Sequence, residues 1–112
     1  MDNVSDNTAQ EPTRAEIDAI AELLLLEFGA SWCGYCRAAQ PLIASALEQH
    51  GSIRHIRIED GKSKRLGRSF IVKLWPTLVF LKQGREIARV VRPHNVAEIR
   101  DALVALEGAP AT

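Results

Sequence analysis

The sequence predicts an α/β domain with a central mixed sheet of four strands, five being the alternative, flanked by helices on both faces. Its 112 residues suit a single domain. Apolar runs of strand length alternate with segments whose apolar residues recur at helical spacing. Only Gln83 and Gly84 separate the last two runs, which is the spacing of an antiparallel hairpin. Helices and strands that alternate and then end in a hairpin favour a mixed sheet covered by helices.

The N-terminal part of the chain is predicted to contain a tail, a short helix and a buried strand. Residues 1–12 are polar and end in proline, so we expect a disordered tail. Thr13 and Glu16 have the spacing of a capping box at the start of a helix over residues 14–22. The nearly continuous apolar run at residues 23–28 is typical of a strand buried on both faces.

The middle of the chain is predicted to contain a long helix, a second strand and a short helical piece. Apolar residues recur at helical spacing over residues 33–49. Pro41 lies inside this helix, where it removes a backbone hydrogen bond and should bend the axis near residues 37–41. A second strand is predicted over residues 53–58. The apolar stretch at residues 68–74 is expected to be helical.

The C-terminal part is predicted to form a hairpin and a last helix. Its strands are Thr77–Lys82 and Arg85–Val91, joined by a tight turn. Asn95 is expected to cap a helix over residues 96–106, and Gly108 follows the end of that helix.

These boundaries define one domain over residues 13–107, followed by a C-terminal tail over residues 108–112. Apolar runs such as the four leucines at 23–26 reach at most five residues, whereas a membrane-spanning helix needs about 18 apolar residues, so we expect no membrane association. Residues 1–12 lack the apolar stretch of a secretory signal, which favours the cytoplasm. A periplasmic location would require that a signal peptide had been removed.

The charge is balanced overall but is unevenly distributed. The formal net charge is zero, while residues 51–92 carry 11 basic and 3 acidic residues. Because aromatic residues are not interleaved with these bases, the segment is more typical of solvated surface than of a nucleic-acid site. We expect no nucleic-acid partner, and an acidic protein partner stays open.

Both cysteines lie in the run Trp32-Cys33-Gly34-Tyr35-Cys36, between a predicted strand and a predicted helix. Side chains three residues apart on a helix lie close enough for a disulfide. The first turn of a helix offers unpaired N–H groups and a positive dipole end, which favour a thiolate. We therefore expect Cys33 to be the nucleophile. Cys36, one turn further and less exposed, is expected to resolve the mixed disulfide.

The two cysteines allow three other interpretations. A purely structural disulfide would close so small a loop that it restrains little of the unfolded chain, and chance placement of unreactive thiols is the second alternative. The spacing of Cys33, Cys36, His50 and His55 also fits a two-Cys, two-His zinc site. However, His50 lies after a predicted helix and His55 in the next strand, so we assign no metal and expect His50 to be solvated.

The segments LLLLEFGASWCGYC and WPTLVFLKQG, together with Pro41, resemble the thioredoxin family over roughly residues 13–107. The resemblance implies the thioredoxin fold and thiol–disulfide exchange. It makes Pro76 the family's cis-proline, whose backbone edge lies against the nucleophilic cysteine and receives the backbone of the substrate. The family's first strand has no counterpart in residues 1–12, which is why four strands are expected.

Glu27 stands six residues before the first cysteine, where the resemblance implies a buried acid that assists proton transfer to and from the second cysteine. The family commonly has Asp at this position. His55 falls where many family members carry a lysine beside that acid. Our hypothesis is that Glu27 and His55 form a buried acid–base pair behind Cys36.

Three residues depart from the family pattern near the predicted substrate groove. Tyr35 replaces a proline between the cysteines, Trp75 replaces a smaller aliphatic residue, and Arg92 replaces a glycine. They are expected to give an aromatic, basic-rimmed groove for peptides, with core packing as the alternative for Trp75. The residues assigned to substrate binding are Trp32, Gly34, Tyr35, Trp75, Pro76 and Arg92.

The expected function is that of a monomeric protein-disulfide reductase in the cytoplasm, acting on disulfide-containing proteins without a cofactor of its own. By family analogy, a separate flavoprotein reductase would supply the electrons. The alternatives are a periplasmic disulfide oxidase or isomerase, and a non-catalytic binding module with the same fold. The equilibrium potential of the cysteine pair separates a reductant from an oxidant.

Overall fold

The computed structural model describes residues 11–111. Its elements in chain order are α1 (Arg14–Asp18), β1 (Leu23–Gly29), α2 (Gly34–Leu47), β2 (Arg54–Glu59), α3 (Arg65–Ser69), β3 (Thr77–Lys82), β4 (Arg85–Val91) and α4 (Val96–Glu107). The described residues form a four-stranded sheet in the order β2-β1-β3-β4. Strand β1 is parallel to β2 and antiparallel to β3, and β3 and β4 form the hairpin. The predicted mixed sheet is confirmed.

The central strand β1 separates two apolar cores, because successive side chains of a strand point to opposite faces of the sheet. Leu25 packs with Ile43 in the core beneath α2 and α4. Leu24 packs with Ile17 of α1 in the core on the other face. Glu27 shares the face of Leu25, so the alternation places a buried carboxylate on the side of the sheet that α2 covers.

Helix α1 begins as predicted and ends early. The Thr13 hydroxyl accepts from the N–H of Glu16 at 3.1 Å, and the Glu16 carboxylate accepts from the N–H of Thr13 at 2.9 Å. The prediction that the helix reaches residue 22 is wrong, because α1 ends at Asp18. The N–H of Ile20 bonds the carbonyl of Ile17 only three residues back, so the chain tightens and turns before it enters β1.

The predicted helical piece at residues 68–74 is wrong in position, because α3 begins at Arg65. The Glu11 carboxylate accepts from the N–H groups of Arg65 and Leu66, both at 3.1 Å, and so satisfies the first turn of α3. Ile71 has a left-handed backbone with φ of 57°, which cannot continue a right-handed helix. A contact distant in sequence therefore sets the start of this element.

Residues just outside the predicted boundaries 13–107 contact the domain, and the boundaries themselves stay a prediction. Residues 1–10 of the predicted tail lie outside the described residues. Glu11, by contrast, is tied to α3 as described above. At the other end, Arg85 Nη2 donates to the carbonyl of Pro110 at 2.7 Å. Glu11 and Pro110 thus each form a hydrogen bond with the domain.

The remaining elements match the predictions to within two residues at each end. Pro41 lies inside α2, and the bend expected there stays a prediction. Gln83 and Gly84 have φ values of 49° and 83°, as a two-residue turn between twisted strands requires. The Asn95 side chain accepts from the N–H of Glu98 at 3.0 Å and caps α4. None of the described helices combines the length and apolarity needed to cross a membrane.

Candidate active site

The two cysteines stand where the loop after β1 enters α2. Cys33 is the N-cap residue, with an extended backbone, and its sulfur accepts from the N–H of Cys36 at 3.3 Å. A side-chain acceptor is favourable here because the first N–H groups of a helix have no carbonyl partner. The two thiols are free. The sequence therefore predicts the location of this dithiol correctly.

Exposure does not distinguish the two cysteines as expected, since 7% of Cys33 and 6% of Cys36 is accessible. Their acidity does. Burial raises the pKa of Cys33, but hydrogen bonds from the thiol and N–H of Cys36 and from the N–H of Tyr35 bring it below the usual value. The positive charge of Arg92 acts in the same direction. Burial, the bond to Cys33 and the nearby charges of Cys33 and Glu27 raise the pKa of Cys36 to about 11.

Glu27 is only 4% exposed and is held by three side chains. His55 Nε2 lies 2.7 Å from Glu27 Oε1, and Gln40 Nε2 donates to Oε2 at 2.7 Å. Arg57 Nε lies 3.6 Å from Oε1. Burial raises the pKa of Glu27, but the bonds from His55 and Gln40 and the charge of Arg57 bring it below its usual value. The carboxyl group is therefore ionised at neutral pH, and the expected contact with His55 is present.

Gln40 connects this carboxylate to the second cysteine. Its amide nitrogen also donates to the carbonyl oxygen of Cys36 at 3.2 Å, and its amide oxygen accepts from Arg57. Gln40 lies four residues after Cys36, hence on the same side of α2. A cavity of about 260 Å³ is lined by Cys36, Glu27, Gln40 and Arg57 among others, which is room enough for water. The buried acid and the second thiol thus border one common space.

The opposite side of the dithiol is aromatic. The Trp75–Pro76 peptide bond is cis. Trp75 packs against the buried cluster that contains Cys33, and its indole N–H donates to Asp60 at 3.0 Å. The edge of one indole meets the face of the other in the pair Trp32–Trp75, with ring centroids 5.5 Å apart, and 70% of Trp32 is exposed. Trp75 therefore both packs and forms part of the surface beside Cys33.

Arg92 connects the chain segment that carries Trp75 and Pro76 to the ring of Tyr35. Its backbone N–H donates to the carbonyl of Pro76 at 3.0 Å, and its Nε donates to the carbonyl of Trp75 at 2.8 Å. Its guanidinium carbon lies 3.9 Å from the centre of the Tyr35 ring. Tyr35 is itself 60% exposed, so the stacked pair lies at the surface. Gly34 is exposed beside it, with open space around its Cα.

Comparison with known proteins shows which family shares this fold and this dithiol. Residues 5–105 match the family model described as Thioredoxin. The chain belongs to the thioredoxin family. It is 51% identical to thioredoxin 2 from Pseudomonas aeruginosa PAO1, whose reduced structure superposes with a TM-score of 0.80 over 89% of this chain and 93% of that one. It is 33% identical over 99 residues to Thioredoxin-1 of Saccharomyces cerevisiae, covering 86% of this chain and 95% of the yeast protein.

The plant relatives are matched over a shorter part of their length. Thioredoxin H2 of Arabidopsis thaliana is 32% identical over 76 residues, which is 68% of this chain but only 57% of the plant protein. Family membership and the Cys33–Cys36 pair identify this thioredoxin-family domain as a thiol–disulfide oxidoreductase.

The zinc alternative has no support in the part of the chain that the structure describes. His50 Nδ1 lies 2.8 Å from a carboxylate oxygen of Glu107, and its side chain is only 14% exposed, so the expectation of a solvated His50 is wrong. His55 is engaged with Glu27. Among residues 11–111, no three or more His, Cys, Asp or Glu residues are grouped so that they could hold a metal ion.

Three residues of this thioredoxin-family site were not predicted. Gln40 could have been found, because a polar residue one turn after Cys36 shares its side of α2. Arg57 could also have been found, since it lies two residues after His55 on β2 and therefore points to the same face of the sheet. Asp60 carries no comparable signal, because only the tertiary fold brings it to the Trp75 indole.

Proposed function

We propose that this protein reduces disulfides in protein substrates, with Cys33 as the nucleophile and Cys36 as the resolving thiol. One observation carries the proposal, namely the opposite direction in which the environment moves the two thiol pKa values. A lowered pKa increases the thiolate fraction of one sulfur and so its reactivity, and a raised pKa keeps the other protonated until it is needed.

The reaction consists of two exchanges. The Cys33 thiolate attacks one sulfur of the substrate disulfide, a mixed disulfide forms, and the other substrate sulfur leaves as a thiolate that takes up a proton. Cys36 then loses its proton and attacks the sulfur of Cys33. The remaining substrate sulfur leaves as the second thiol, and the protein retains a Cys33–Cys36 disulfide. Two electrons pass to the substrate, and the protein is oxidised.

Glu27 is proposed to accept the proton that Cys36 must lose, with His55 as its support. The carboxylate is ionised, buried and on the cavity that Cys36 also lines. His55 holds one carboxylate oxygen at 2.7 Å, and Gln40 holds the other. Water in the cavity would carry the proton over the remaining distance.

The substrate is proposed to lie across the aromatic surface beside Cys33. The backbone around the cis peptide bond of Pro76 is one wall, and the exposed rings of Trp32 and Tyr35 offer apolar contact area. The residues proposed for this role are Trp32, Gly34, Tyr35, Trp75, Pro76 and Arg92.

A cytoplasmic monomer that is recharged by a separate flavoprotein reductase is proposed as the physiological setting. The dithiol must be reduced again after each turnover, so an electron donor is required. This part of the proposal rests on family analogy.

The test is the reduction of insulin disulfides with dithiothreitol as the electron source. The native protein should accelerate the reaction, and Cys33→Ser should abolish the acceleration. Cys36→Ser should accumulate a mixed disulfide on Cys33 with an added substrate thiol. Full activity of Cys33→Ser, or a mixed disulfide on Cys36 in that variant, would overturn the assignment.

The equilibrium potential of the dithiol tests the direction of electron flow. If the protein is a reductase, its dithiol should have a potential near −270 mV, measured by equilibration in a dithiothreitol buffer series. A value near −120 mV would instead favour the alternative of a disulfide oxidase.

A further inference from the structure

Arg92 is held in an unusual and rigid way. Its backbone has φ of 51°, in the left-handed region where a residue with a side chain is strained. Its Nε donates to the carbonyl of Trp75, and its guanidinium carbon lies over the Tyr35 ring, 3.9 Å from the ring centre. Because the guanidinium is held from two sides, by a hydrogen bond and by a ring contact, its position is set before any substrate arrives.

The charge of Arg92 is not neutralised by its neighbours. Among residues 11–111, no carboxylate forms an ion pair with its guanidinium, and only Nε makes a side-chain hydrogen bond. The two terminal nitrogens therefore keep their donors for another group. An arginine presents these donors in a fork that matches the two oxygens of a carboxylate.

A groove adjoins this guanidinium on the α2 side. It has a volume of about 560 Å³, and it is lined by Tyr35, Ala38, Ala39, Leu42, Arg92, Pro93 and His94. Its wall is mostly apolar, and Arg92 is its one permanent charge. His94 is already paired with Glu98, whose carboxylate lies 3.4 Å from Nδ1. The groove thus suits a short aliphatic stem that ends in one negative charge.

We propose that Arg92 and this groove form a carboxylate-binding subsite, so that the enzyme prefers protein disulfides with Asp or Glu close to the cysteine that Cys33 attacks. The proposal rests on the proposed function and specifies its substrate class. A single charge against an apolar wall fits an acidic side chain better than a nucleic acid, which requires several cations along its backbone.

The test uses two synthetic peptides with the same intramolecular disulfide, which differ only in Glu or Gln beside the attacked cysteine. We compare kcat/KM for the two peptides in the native protein, in Arg92→Gln and in the control Arg100→Gln, which removes an exposed charge on α4. The native protein at low salt should prefer the Glu peptide about threefold to tenfold. The preference should vanish in Arg92→Gln and persist in Arg100→Gln.

The ratio of the two peptides removes the general effect of Arg92 on the acidity of Cys33, because both peptides meet the same thiolate. In the native protein, added salt should lower the preference toward one, which keeps the proposal testable if Arg92→Gln does not fold. Equal rates for the two peptides, or a preference that survives in folded Arg92→Gln, would overturn the subsite. Failure to reduce either peptide would instead overturn the proposed function.

Discussion

Replacing Glu27 by Gln separates two effects of this carboxylate on Cys36. The negative charge is one cause of the raised pKa of Cys36. The carboxylate is also the proposed acceptor of the Cys36 proton. Removal of the charge alone would increase the thiolate fraction of Cys36 and accelerate the resolving step. Removal of the proton acceptor would slow the same step, so the direction of the change identifies the role.

The expected changes in the rate of the resolving step are large enough to be measured. With a pKa of about 11, roughly one Cys36 thiol in ten thousand is ionised near pH 7. Each unit by which the pKa falls would raise that fraction about tenfold. Loss of a positioned proton acceptor costs about 100-fold or more. We therefore expect the resolving step of Glu27→Gln to slow by about 100-fold.

The assay is stopped-flow absorbance with dithiodipyridine, a disulfide that releases an absorbing thiopyridone. Attack by Cys33 releases the first thiopyridone, and attack by Cys36 on the mixed disulfide releases the second. In Glu27→Gln the first phase should change little and the second should slow. Glu48→Gln makes the same charge change at an exposed position at the end of α2, so both phases should be unchanged.

An unchanged or faster second phase in Glu27→Gln would refute the proton-acceptor role. The variant should remain folded, because Gln has nearly the same shape and keeps an oxygen for Gln40. Loss of the charged bonds to His55 and Gln40 is expected to cost about 1–3 kcal/mol of unfolding free energy, which urea denaturation measures. A loss of that size leaves most of a typical domain's stability.

Three further predictions concern stability. Gly29→Ala places a Cβ 2.8 Å from the Cys36 sulfur, so it should destabilise by about 1–3 kcal/mol in urea, whereas Gly51→Ala, with open space, should not. Ile71→Asn should stabilise by about 1 kcal/mol, because Asn tolerates the left-handed backbone (φ 57°) better than a β-branched residue; a loss of stability would contradict this. The lowered pKa of Glu27 adds stability that is complete above the unfolded value of about 4.3 and is lost as the pH falls through the folded pKa. The stability difference between the native protein and Glu27→Gln should therefore shrink below about pH 4, and a constant difference would contradict the pKa shift.

Local patterns predicted most of the fold. The Thr13 capping box, the turn at Gln83 and Gly84, and the Asn95 cap depend on neighbouring residues only, and each is present. Helix α3 was misplaced because its start depends on Glu11, more than fifty residues away in sequence. A contact between residues so far apart in sequence produces no periodic pattern from which it could be predicted.

The candidate site shows the same division. The position of Cys33 and Cys36 at the helix start follows from the strand–turn–helix pattern, and the position of Glu27 follows from the alternation of β1. The part of the site that depends on side-chain packing is harder to predict from the sequence. Neither the stacking of Arg92 on Tyr35 nor the bond from Trp75 to Asp60 has a sequence spacing that predicts it.

The central claim is that the start of α2 makes Cys33 acidic while Cys36 stays protonated. Alkylation of the reduced protein with iodoacetamide over a range of pH, with the labelled residue located by mass spectrometry, tests it directly. Cys33 should be labelled near neutral pH, and Cys36 should resist labelling until the pH is strongly alkaline. Labelling of Cys36 first, or no labelling of either cysteine near neutral pH, would contradict it.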